Sequence, residues 1–343
     1  MKKKALVAMS GGVDSSVCAY LAMKAGYECV GATMILCNKE SAESDVRDAA
    51  AVCRKLGIEH YAFDMTKEFK EMVIDRFVKS YEMGHTPNPC IECNKYLKFG
   101  LLFDKARELG CDTIVTGHYA RIEKTPLGYV LKKANDSSKD QSYVLYSLKK
   151  ENLDSVYFPL GDITKEEARE IAREMGFVTA HKSDSQDICF VPDGDYASVI
   201  SKVSGRSYPE GSFKDEEGNV LGTHKGIIRY TIGQRRGLGL ALKEPMYVKD
   251  KNTDTNEVIL CTNDKLFSDT LDAVDFNWLI ETDGPVRAKA KIRYNQKEQE
   301  ATVFPSGDSG VRIVFDEPQR AIAKGQAVVL YCDDVVLGGG TIV

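Results

Sequence analysis

Two cysteines three residues apart, Cys90 and Cys93, are the most chemically suggestive feature of the segment TPNPCIECNKYLKFG. A C-x-x-C pair can form half of a zinc site, act as a redox pair, bind an iron–sulfur cluster or supply a nucleophile with a helper thiol. The residues that follow have helical spacing, which predicts both thiols at a first helical turn and on one side of it. Because a helix N-terminus carries partial positive charge, we expect at least one thiol to have a lowered pKa and to be reactive.

A third cysteine is a candidate partner for this pair. A structural zinc site needs four ligands, and the sequence has no second C-x-x-C and no H-x₃-H, so zinc is disfavoured. In SDSQDICFV, Cys189 is predicted on a short apolar strand after a polar loop. Alone it would be interpreted as a core cysteine, whereas together with the pair it could face them across a cleft.

The segment ALVAMSGGVDSS, residues 5–16, has the layout of a phosphate-binding turn. Glycines let the backbone approach an anion, and the free N–H groups of a helix start face it. The hydroxyls of Ser10, Ser15 and Ser16 add donors. A carboxylate is unexpected beside phosphates, so Asp14 is expected to hold Mg²⁺ that in turn binds the phosphate oxygens. The segment lacks the Walker A and Rossmann patterns and resembles the PP-loop of ATP pyrophosphatases, which cleave ATP between its α and β phosphates and adenylate a substrate oxygen.

The periodicity of the chain predicts an α/β domain followed by β domains. Strands at 4–9, 29–36, 59–63 and 113–115 alternate with helices at 15–25, 44–56, 67–81 and 94–109, which indicates a parallel sheet. After about residue 205, short apolar runs are separated by Gly, Asp and Asn, as in all-β domains. We therefore expect a parallel-sheet PP-loop domain similar to adenine nucleotide alpha hydrolases (1–204), a small central β domain (205–270) and a C-terminal β barrel (271–343), with 266–279 as the junction.

Neither the composition nor the N-terminus indicates a membrane protein. The apolar run at 5–9 is too short for a signal peptide, and no segment approaches the roughly 20 apolar residues of a membrane span. We expect a cytoplasmic protein without membrane contact. The formal net charge of −5 argues against a protein that coats nucleic acid over its whole surface.

One local stretch is nevertheless basic. In PVRAKAKIRYNQ, every second residue from Arg287 to Arg293 is cationic, so on a strand all four would point to one face, about 6.7 Å apart. Such a ribbon suits a phosphate backbone, and Tyr294 could stack on a base. The alternative is an ordinary solvated strand face.

Seven blocks together resemble a known family: SGGVDSS, NPCIECNKYLKFG, TGHYAR, KDQSYVLY, SDSQDICFV, HKGIIRYTIGQRRGLG and KIRY. In this order and spacing, over essentially the whole chain, they are similar to bacterial tRNA-specific 2-thiouridylases, which are tRNA-uridine 2-sulfurtransferases with a PP-loop. The resemblance implies that ATP adenylates O2 of wobble uridine 34 in the tRNAs for Lys, Glu and Gln, with release of AMP and pyrophosphate, and that persulfide sulfur replaces the oxygen. The implied partners are the anticodon stem-loop of tRNA and a sulfur donor such as a cysteine desulfurase or a relay protein.

The resemblance also assigns roles to residues. It makes Cys189 the persulfide carrier and Cys93 the second catalytic cysteine, a pair that could close a disulfide as sulfur leaves. It implies ATP contacts at Ala8, Met9, Ser10, Gly11, Gly12, Val13, Asp14, Ser15, Ser16, Met34 and Gly117. It implies tRNA contacts at Asn88, Pro89, Cys90, His118, Lys139, Asp140, Gln141, Arg293, Tyr294 and Gln326.

The chain departs from the family at Cys90, where many members have Asp. A third thiolate would allow Cys90, Cys93 and Cys189 to hold a [4Fe–4S] cluster with one iron free to carry sulfide. The persulfide route is favoured over this alternative. Two rival functions are a PP-loop ligase that adenylates a small molecule, which leaves the cysteines and β domains without a task, and a non-enzymatic scaffold that binds RNA or a cluster, which the intact Asp14 and its neighbouring serines argue against.

Overall fold

The structure is a computed structural model, and it describes residues 3–37, 40–126, 128–183, 188–191, 194–307 and 309–343. Within these ranges, every helix is too short or too polar to cross a membrane.

The N-terminal region is built on a parallel sheet, as the strand–helix alternation predicts. Its strands lie in the order β3-β2-β1-β4-β7, and β1 runs parallel to both β2 and β4. Strands β5 and β6 form a hairpin that does not belong to this sheet and instead pairs with the last strand of the C-terminal barrel. The strands are β1 Lys4–Ala8, β2 Glu28–Ile35, β3 His60–Asp64, β4 Thr113–Val115, β5 Ala120–Thr125, β6 Gly128–Lys133 and β7 Val156–Tyr157.

Side chains of β1 alternate between two cores because the sheet is covered on both faces. Leu6 packs into a core with Leu102 and Ile114, and Val7 packs into the opposite core with Val17. All five are fully buried. The central strand is therefore apolar on both sides and carries no polar group into the core, so its chemistry is confined to its carboxyl end.

Two of the helices contain π-helical sections, where the prediction had plain α-helices over 67–81 and 94–109. The first runs as Thr66–Phe69, π-helical Lys70–Ile74 and Asp75–Glu82; the second as Pro89–Glu92, π-helical Cys93–Leu101 and Leu102–Glu108. Apolar spacing does not reveal a turn widened to i→i+5 hydrogen bonds. The other α-helices are Val13–Lys24, Glu40–Leu56, Lys165–Glu174 and Tyr196–Ser204, and 3₁₀ turns occur at Ser142–Val144, Lys150–Ser155, Pro159–Asp162, Ile227–Arg229 and Asn263–Leu266.

A small sheet forms the centre of the chain, in the order β10-β11-β8-β9. Phe213, Val248, Val258 and Leu260 are fully buried there and join the core beneath the parallel sheet. Its strands are β8 Gly211–Lys214, β9 Val220–His224, β10 Tyr247–Asn252 and β11 Glu257–Cys261.

The C-terminal region is a barrel in which β12-β15-β14-β13-β16-β17 are neighbours and β12 also pairs with β17. The all-β prediction is confirmed, but 266–279 is wrong as a junction, since most of it is the long first barrel strand. The predicted boundary at 270 falls inside that strand. The strands are β12 Phe267–Trp278, β13 Val286–Lys291, β14 Gln299–Ser306, β15 Gly310–Arg320, β16 Ala327–Cys332 and β17 Val335–Ile342.

Candidate active site at the carboxyl edge of the parallel sheet

The Ser-Gly-Gly turn after β1 is held in shape by its own serines. The Ser15 and Ser16 hydroxyls donate to the Gly12 carbonyl at 3.1 and 2.8 Å, and the Ser10 N–H donates to Ser15 Oγ at 3.1 Å. Ser16 is fully buried and also bonds Thr179 Oγ1 at 2.9 Å. Of the three serines proposed as phosphate donors, only Ser10 is exposed, so the other two maintain the loop that presents the backbone N–H groups.

Gly11 shows why the loop requires glycine. Its φ is +71°, and a Cβ there would lie 2.6 Å from the Asp45 carbonyl oxygen and 2.7 Å from Asp45 Cα. The loop therefore packs directly on the following helix, Glu40–Leu56, with no space for a side chain.

Asp14 has a protein partner instead of the free position that was expected for a metal ligand. Lys165 Nζ lies 2.7 and 2.8 Å from its two carboxylate oxygens, and the Tyr119 hydroxyl donates to Oδ1 at 3.0 Å. Lys165 is buried and begins the helix Lys165–Glu174. The carboxylate therefore neutralises a buried lysine, and a cation bound through Asp14 would have to share it with that ammonium.

Met34 and Gly117 lie at the same edge of the sheet as the phosphate turn. Met34 is near the end of β2 and partly buried, and Gly117 follows β4. A Cβ on Gly117 would lie 3.2 Å from Asp14 Cβ and 3.3 Å from the Ser15 nitrogen. The structure thus places Gly117 directly against the turn and Met34 on the neighbouring strand, both at the carboxyl edge where open α/β sheets bind ligands. Their contacts with adenosine stay predictions.

Cys90 and Cys93 lie in the first turns of a helix, as predicted. The Asn88 side chain caps it by accepting from the Cys90 N–H at 3.1 Å, and Pro89 occupies the first helical turn. Cys93 is buried and begins the π-helical section, whereas Cys90 is exposed. Asn88 was predicted only as a tRNA contact, and the structure shows that its side chain also caps this helix.

The prediction of a lowered thiol pKa is wrong for the free protein. Burial raises the pKa of Cys93 and of Cys90, and the Lys98 ammonium only partly offsets this. Burial, followed by the neighbouring thiols of Cys93, Cys90 and Cys37, raises the pKa of Cys189 to about 12. Cys90 and Cys189 are exposed as residues, yet the surrounding protein still withdraws their sulfurs from bulk water. The loss of hydration, which favours the neutral thiol, outweighs the stabilisation of a thiolate by the helix N-terminus. The thiols are therefore protonated at neutral pH.

Cys37, Cys90 and Cys93 each act on the thiol of Cys189, which indicates that the four thiols are neighbours, and they are called the cysteine cluster below. Cys189 is in a turn and not on the predicted strand, since the described segment 188–191 contains no strand. Cys37 was missed, although it lies two residues after the end of β2, at the carboxyl edge of the sheet. Nowhere in the described part of the chain do three or more His, Cys, Asp or Glu side chains form a group able to hold a metal ion. Cys90, Cys93 and Cys189 therefore do not fit a cluster as they are arranged here.

His118 is packed inside the domain, which does not favour the expected contact with RNA. It is only 7% exposed and lies against the rings of Phe99 and Phe158. Its Nδ1 is 2.7 Å from Thr116 Oγ1 and its Nε2 is 3.4 Å from Lys98 Nζ. Burial lowers its pKa well below the usual range, so the imidazole is neutral.

The segment Lys139 to Gln141 connects the phosphate turn to the barrel. Gln141 accepts from the Tyr119 N–H at 3.0 Å, and Tyr119 in turn bonds Asp14. The Asp140 carboxylate accepts from the Ala134 N–H at 3.0 Å and from the Ser142 hydroxyl at 2.7 Å, so it stabilises the local backbone. Contacts of these residues with tRNA stay predictions.

Only part of the expected cationic ribbon is present on β13. Ala288, Ala290 and Ile292 are buried, which agrees with the predicted alternation. Arg287, however, forms a bidentate pair with Asp316 at 2.7 Å, and Arg293 Nη2 donates to the carbonyls of Ile232 and Ala321. The partners come from β15 and the central domain, which strand alternation does not reveal.

The side chain after the ribbon faces the cysteine site. Tyr294 is 37% exposed, its hydroxyl donates to the Asp140 carbonyl at 3.1 Å, and the neighbouring Cys90 and Asp140 contribute to the raised pKa of Tyr294 after burial. Lys291 Nζ lies 5.8 Å from the Tyr294 ring centroid. A partly exposed aromatic ring and a cation thus lie together on the barrel side, and the ring is close enough to Cys90 for that thiol to act on its hydroxyl.

The barrel also holds the segment that leads to the cysteines. Gln326 Nε2 donates to the Thr86 carbonyl at 2.7 Å, and the Thr86 N–H donates to the Lys324 carbonyl at 2.9 Å. Gln326, expected to contact tRNA, therefore already positions the entry to Pro87-Asn88-Pro89.

The sequence matches three family descriptions along its length. They are the tRNA methyl transferase HUP domain over residues 3–193, the tRNA methyl transferase PRC-barrel domain over 198–262 and the aminomethyltransferase beta-barrel domain over 268–342. The chain is 48% identical over 355 residues to the tRNA-specific 2-thiouridylase MnmA of Clostridioides difficile (strain 630), with 100% of this chain and 98% of that protein covered. The chain belongs to the tRNA-specific 2-thiouridylase family. A second member of the family, MnmA of Clostridium beijerinckii, is 47% identical over 354 residues, covering 100% of this chain and 99% of its own length.

Among solved structures, the U34-tRNA thiolase NcsA of Methanococcus maripaludis with its [4Fe-4S] cluster overlaps 60% of this chain and 65% of its own, at 22% identity and a TM-score of 0.38. A similarity of that size carries no argument about this family member.

Sequence reasoning missed Lys165 and Thr179, since both come from segments far along the chain from the turn they support. Tyr119 and Lys98 lie inside the blocks TGHYAR and NPCIECNKYLKFG, where motif spacing predicts no role for either side chain. The signal that could have found them is their position within those blocks, one and five residues from an assigned residue.

Proposed function

We propose that this chain is an ATP-dependent tRNA-uridine 2-sulfurtransferase that converts wobble uridine 34 of tRNA to 2-thiouridine. The observation that carries the proposal is that the phosphate turn, Gly117 and Cys37 follow strands at one edge of the parallel sheet, while Cys37 acts electrostatically on the thiols of Cys93 and Cys189. Membership of the thiouridylase family supports the choice of tRNA as substrate and ATP as co-substrate. Both substrates favour a cytoplasmic location.

The proposed chemistry proceeds in three steps whose atoms balance. Uridine O2 attacks the α-phosphorus of ATP and pyrophosphate leaves. The terminal sulfur of a Cys189 persulfide attacks C2, and AMP departs with the former O2. Cys93, as thiolate, attacks the Cys189 sulfur, releases the thiouridine sulfur and leaves a Cys93–Cys189 disulfide, which an external dithiol reduces.

The residues around the site suit these steps. Backbone N–H groups at the start of the helix Val13–Lys24 bind phosphate oxygens, and Mg²⁺ carried by ATP adds charge neutralisation. Lys165 keeps Asp14 from repelling the triphosphate. The anticodon loop reaches the cysteines past Asn88, Pro89 and Tyr294, whose partly exposed ring can stack on an unpaired base.

The sulfur donor is proposed to be a cysteine desulfurase or a relay protein, because Cys189 lies in an exposed turn that a partner can reach. The [4Fe–4S] alternative has less support, since the three thiols do not form a metal-binding group in the described structure. Anaerobic purification followed by iron and sulfide analysis tests that alternative directly.

The decisive experiment for the proposed function is single-turnover thiolation of an anticodon stem-loop with ATP and persulfide-loaded protein. We expect one 2-thiouridine for each persulfide consumed, and loss of product in Cys93→Ser and in Cys189→Ser. Cys332→Ser, which alters an exposed cysteine on the barrel, is the matched control. Full-rate thiolation by the Cys93→Ser, Cys189→Ser double variant would overturn the proposal.

A further inference from the structure

The π-helical section Cys93–Leu101 places one lysine on the face that carries the catalytic cysteine. Lys98 follows Cys93 by five residues. In an α-helix, residue i+5 is rotated by about 140° from residue i, so it would point away. The wider turn with i→i+5 hydrogen bonds returns i+5 to the same side. The π-helical section therefore brings Lys98 toward the cysteine cluster.

A hydrogen-bond chain that is buried beyond Lys98 itself fixes the end of this lysine. Lys98 Nζ lies 3.4 Å from His118 Nε2, and His118 Nδ1 lies 2.7 Å from Thr116 Oγ1. Because His118 is neutral, the bonding pattern assigns Nε2 as the acceptor from the ammonium and Nδ1–H as the donor to Thr116. The ammonium is thus anchored to the segment between β4 and β5, which also carries Gly117.

The ammonium acts on the cysteines from this position. It opposes the effect of burial on the thiols of Cys90, Cys93 and Cys189. Within the described residues, the other titratable groups that act on Cys93 are the thiols of Cys90 and Cys37, which favour its protonated form. In that part of the chain, Lys98 is the cation that favours thiolate at Cys90, Cys93 and Cys189.

We propose that Lys98 is a positioning residue that stabilises the thiolates of Cys93 and Cys189 during sulfur transfer, held in place by neutral His118. This inference deepens the function proposed above and depends on it for its biological meaning. It explains why a buried histidine accompanies the cysteines, since His118 fixes a cation without adding a second positive charge. When a negatively charged sulfur forms, Lys98 is the neighbouring group of opposite charge.

The test measures thiols directly, without ATP or RNA. Iodoacetamide labelling of Cys93 and Cys189 is followed by tandem mass spectrometry from pH 6 to pH 10 in wild type, Lys98→Gln, Lys98→Arg and Lys95→Gln. Lys98→Gln keeps a donor for His118 but removes the charge. Lys95 is exposed on the same π-helical section and is the matched control.

We expect Lys98→Gln to label Cys93 and Cys189 about tenfold more slowly near pH 8, as for a pKa rise of about one unit. Lys98→Arg should restore most of the rate, and Lys95→Gln should match wild type. The melting temperature of each variant shows that it is folded. Identical profiles for wild type and Lys98→Gln would overturn the inference, as would an equal loss in Lys98→Arg. A shifted profile in a protein that thiolates no RNA would refute the proposed function and leave the inference intact.

Discussion

The ion pair beneath the phosphate turn leads to a quantitative prediction. Lys165 contacts both oxygens of Asp14 at 2.7 and 2.8 Å, and the lysine side chain is 10% exposed against 32% for the aspartate. Two unit charges attract by about 4 kcal/mol at 4 Å when the effective dielectric constant is near 20. Since Asp14 is about a third exposed, we discount this for solvent screening and expect a coupling of about 2 kcal/mol.

The perturbation is Lys165→Met, alone and combined with Asp14→Asn. Lys165→Met leaves a carboxylate without its cation beside the phosphate turn, and we expect about 2 kcal/mol less stability. In the double variant neither charge remains, so most of that loss should be recovered. Urea unfolding followed by far-ultraviolet circular dichroism measures all four free energies of the cycle.

ATP affinity provides a second readout for the same variants. In Lys165→Met the unpaired Asp14 carboxylate faces the triphosphate, so affinity for ATP should fall by roughly tenfold or more, given that 1.4 kcal/mol is a factor of ten. Isothermal titration in the absence of tRNA measures this. Strictly additive unfolding energies, with a coupling under about 0.5 kcal/mol, would refute the reasoning.

Two further predictions concern stability. Gly11→Ala should lower the free energy of unfolding by about 3 kcal/mol or more, because its Cβ would meet the Asp45 backbone at 2.6 Å. The control is Gly26→Ala, which also has a positive φ but has open space around it and should lose only about 1 kcal/mol. Similar losses for the two variants in urea unfolding would contradict the packing argument. Burial lowers the pKa of Lys251 from 10.5 to about 8, so the unfolded chain binds its proton more tightly and this group adds stability as pH rises from 8 to 10.5. Lys251→Met should therefore stabilise the protein at pH 7 by about 2 kcal/mol, which is the desolvation penalty of the ammonium less the hydrogen bond to the Tyr230 carbonyl. The gain in unfolding free energy should shrink toward pH 10.5. A gain that does not change with pH would refute this prediction.

Much of the fold follows from local patterns in the sequence. Apolar strands alternating with helices specify the parallel sheet, and ALVAMSGG specifies a strand, a glycine turn and a helix start. Widened helical turns are not recognised in such patterns, since the π-helical sections cover only five and nine residues inside longer helices, too few to define a separate period. The helix containing Cys93 was therefore predicted in the right place with the wrong internal geometry, and the position of Lys98 could not be predicted.

The site shows a similar division between local and long-range information. The turn and the C-x-x-C pair were identified because each is a short motif, and Gly117 was assigned through the resemblance to the family. The partner of Asp14 is 151 residues away, and the partner of Arg287 is 29 residues away on another barrel strand. Pairings of this kind depend on the folded topology, which is why the cation expected for Asp14 was Mg²⁺ and why the ion pair between Arg287 and Asp316 was not predicted. The thiol pKa was wrong for a related reason, because the helix terminus is local whereas burial depends on the whole domain.

The central claim is that ATP turns O2 of uridine 34 into a leaving group that sulfur replaces. The most direct measurement uses an anticodon stem-loop synthesised with ¹⁸O at O2 of that uridine, followed by mass spectrometry of the nucleotide released in one turnover. The account predicts one ¹⁸O in the AMP for every 2-thiouridine formed. Unlabelled AMP accompanying a full yield of 2-thiouridine would contradict it.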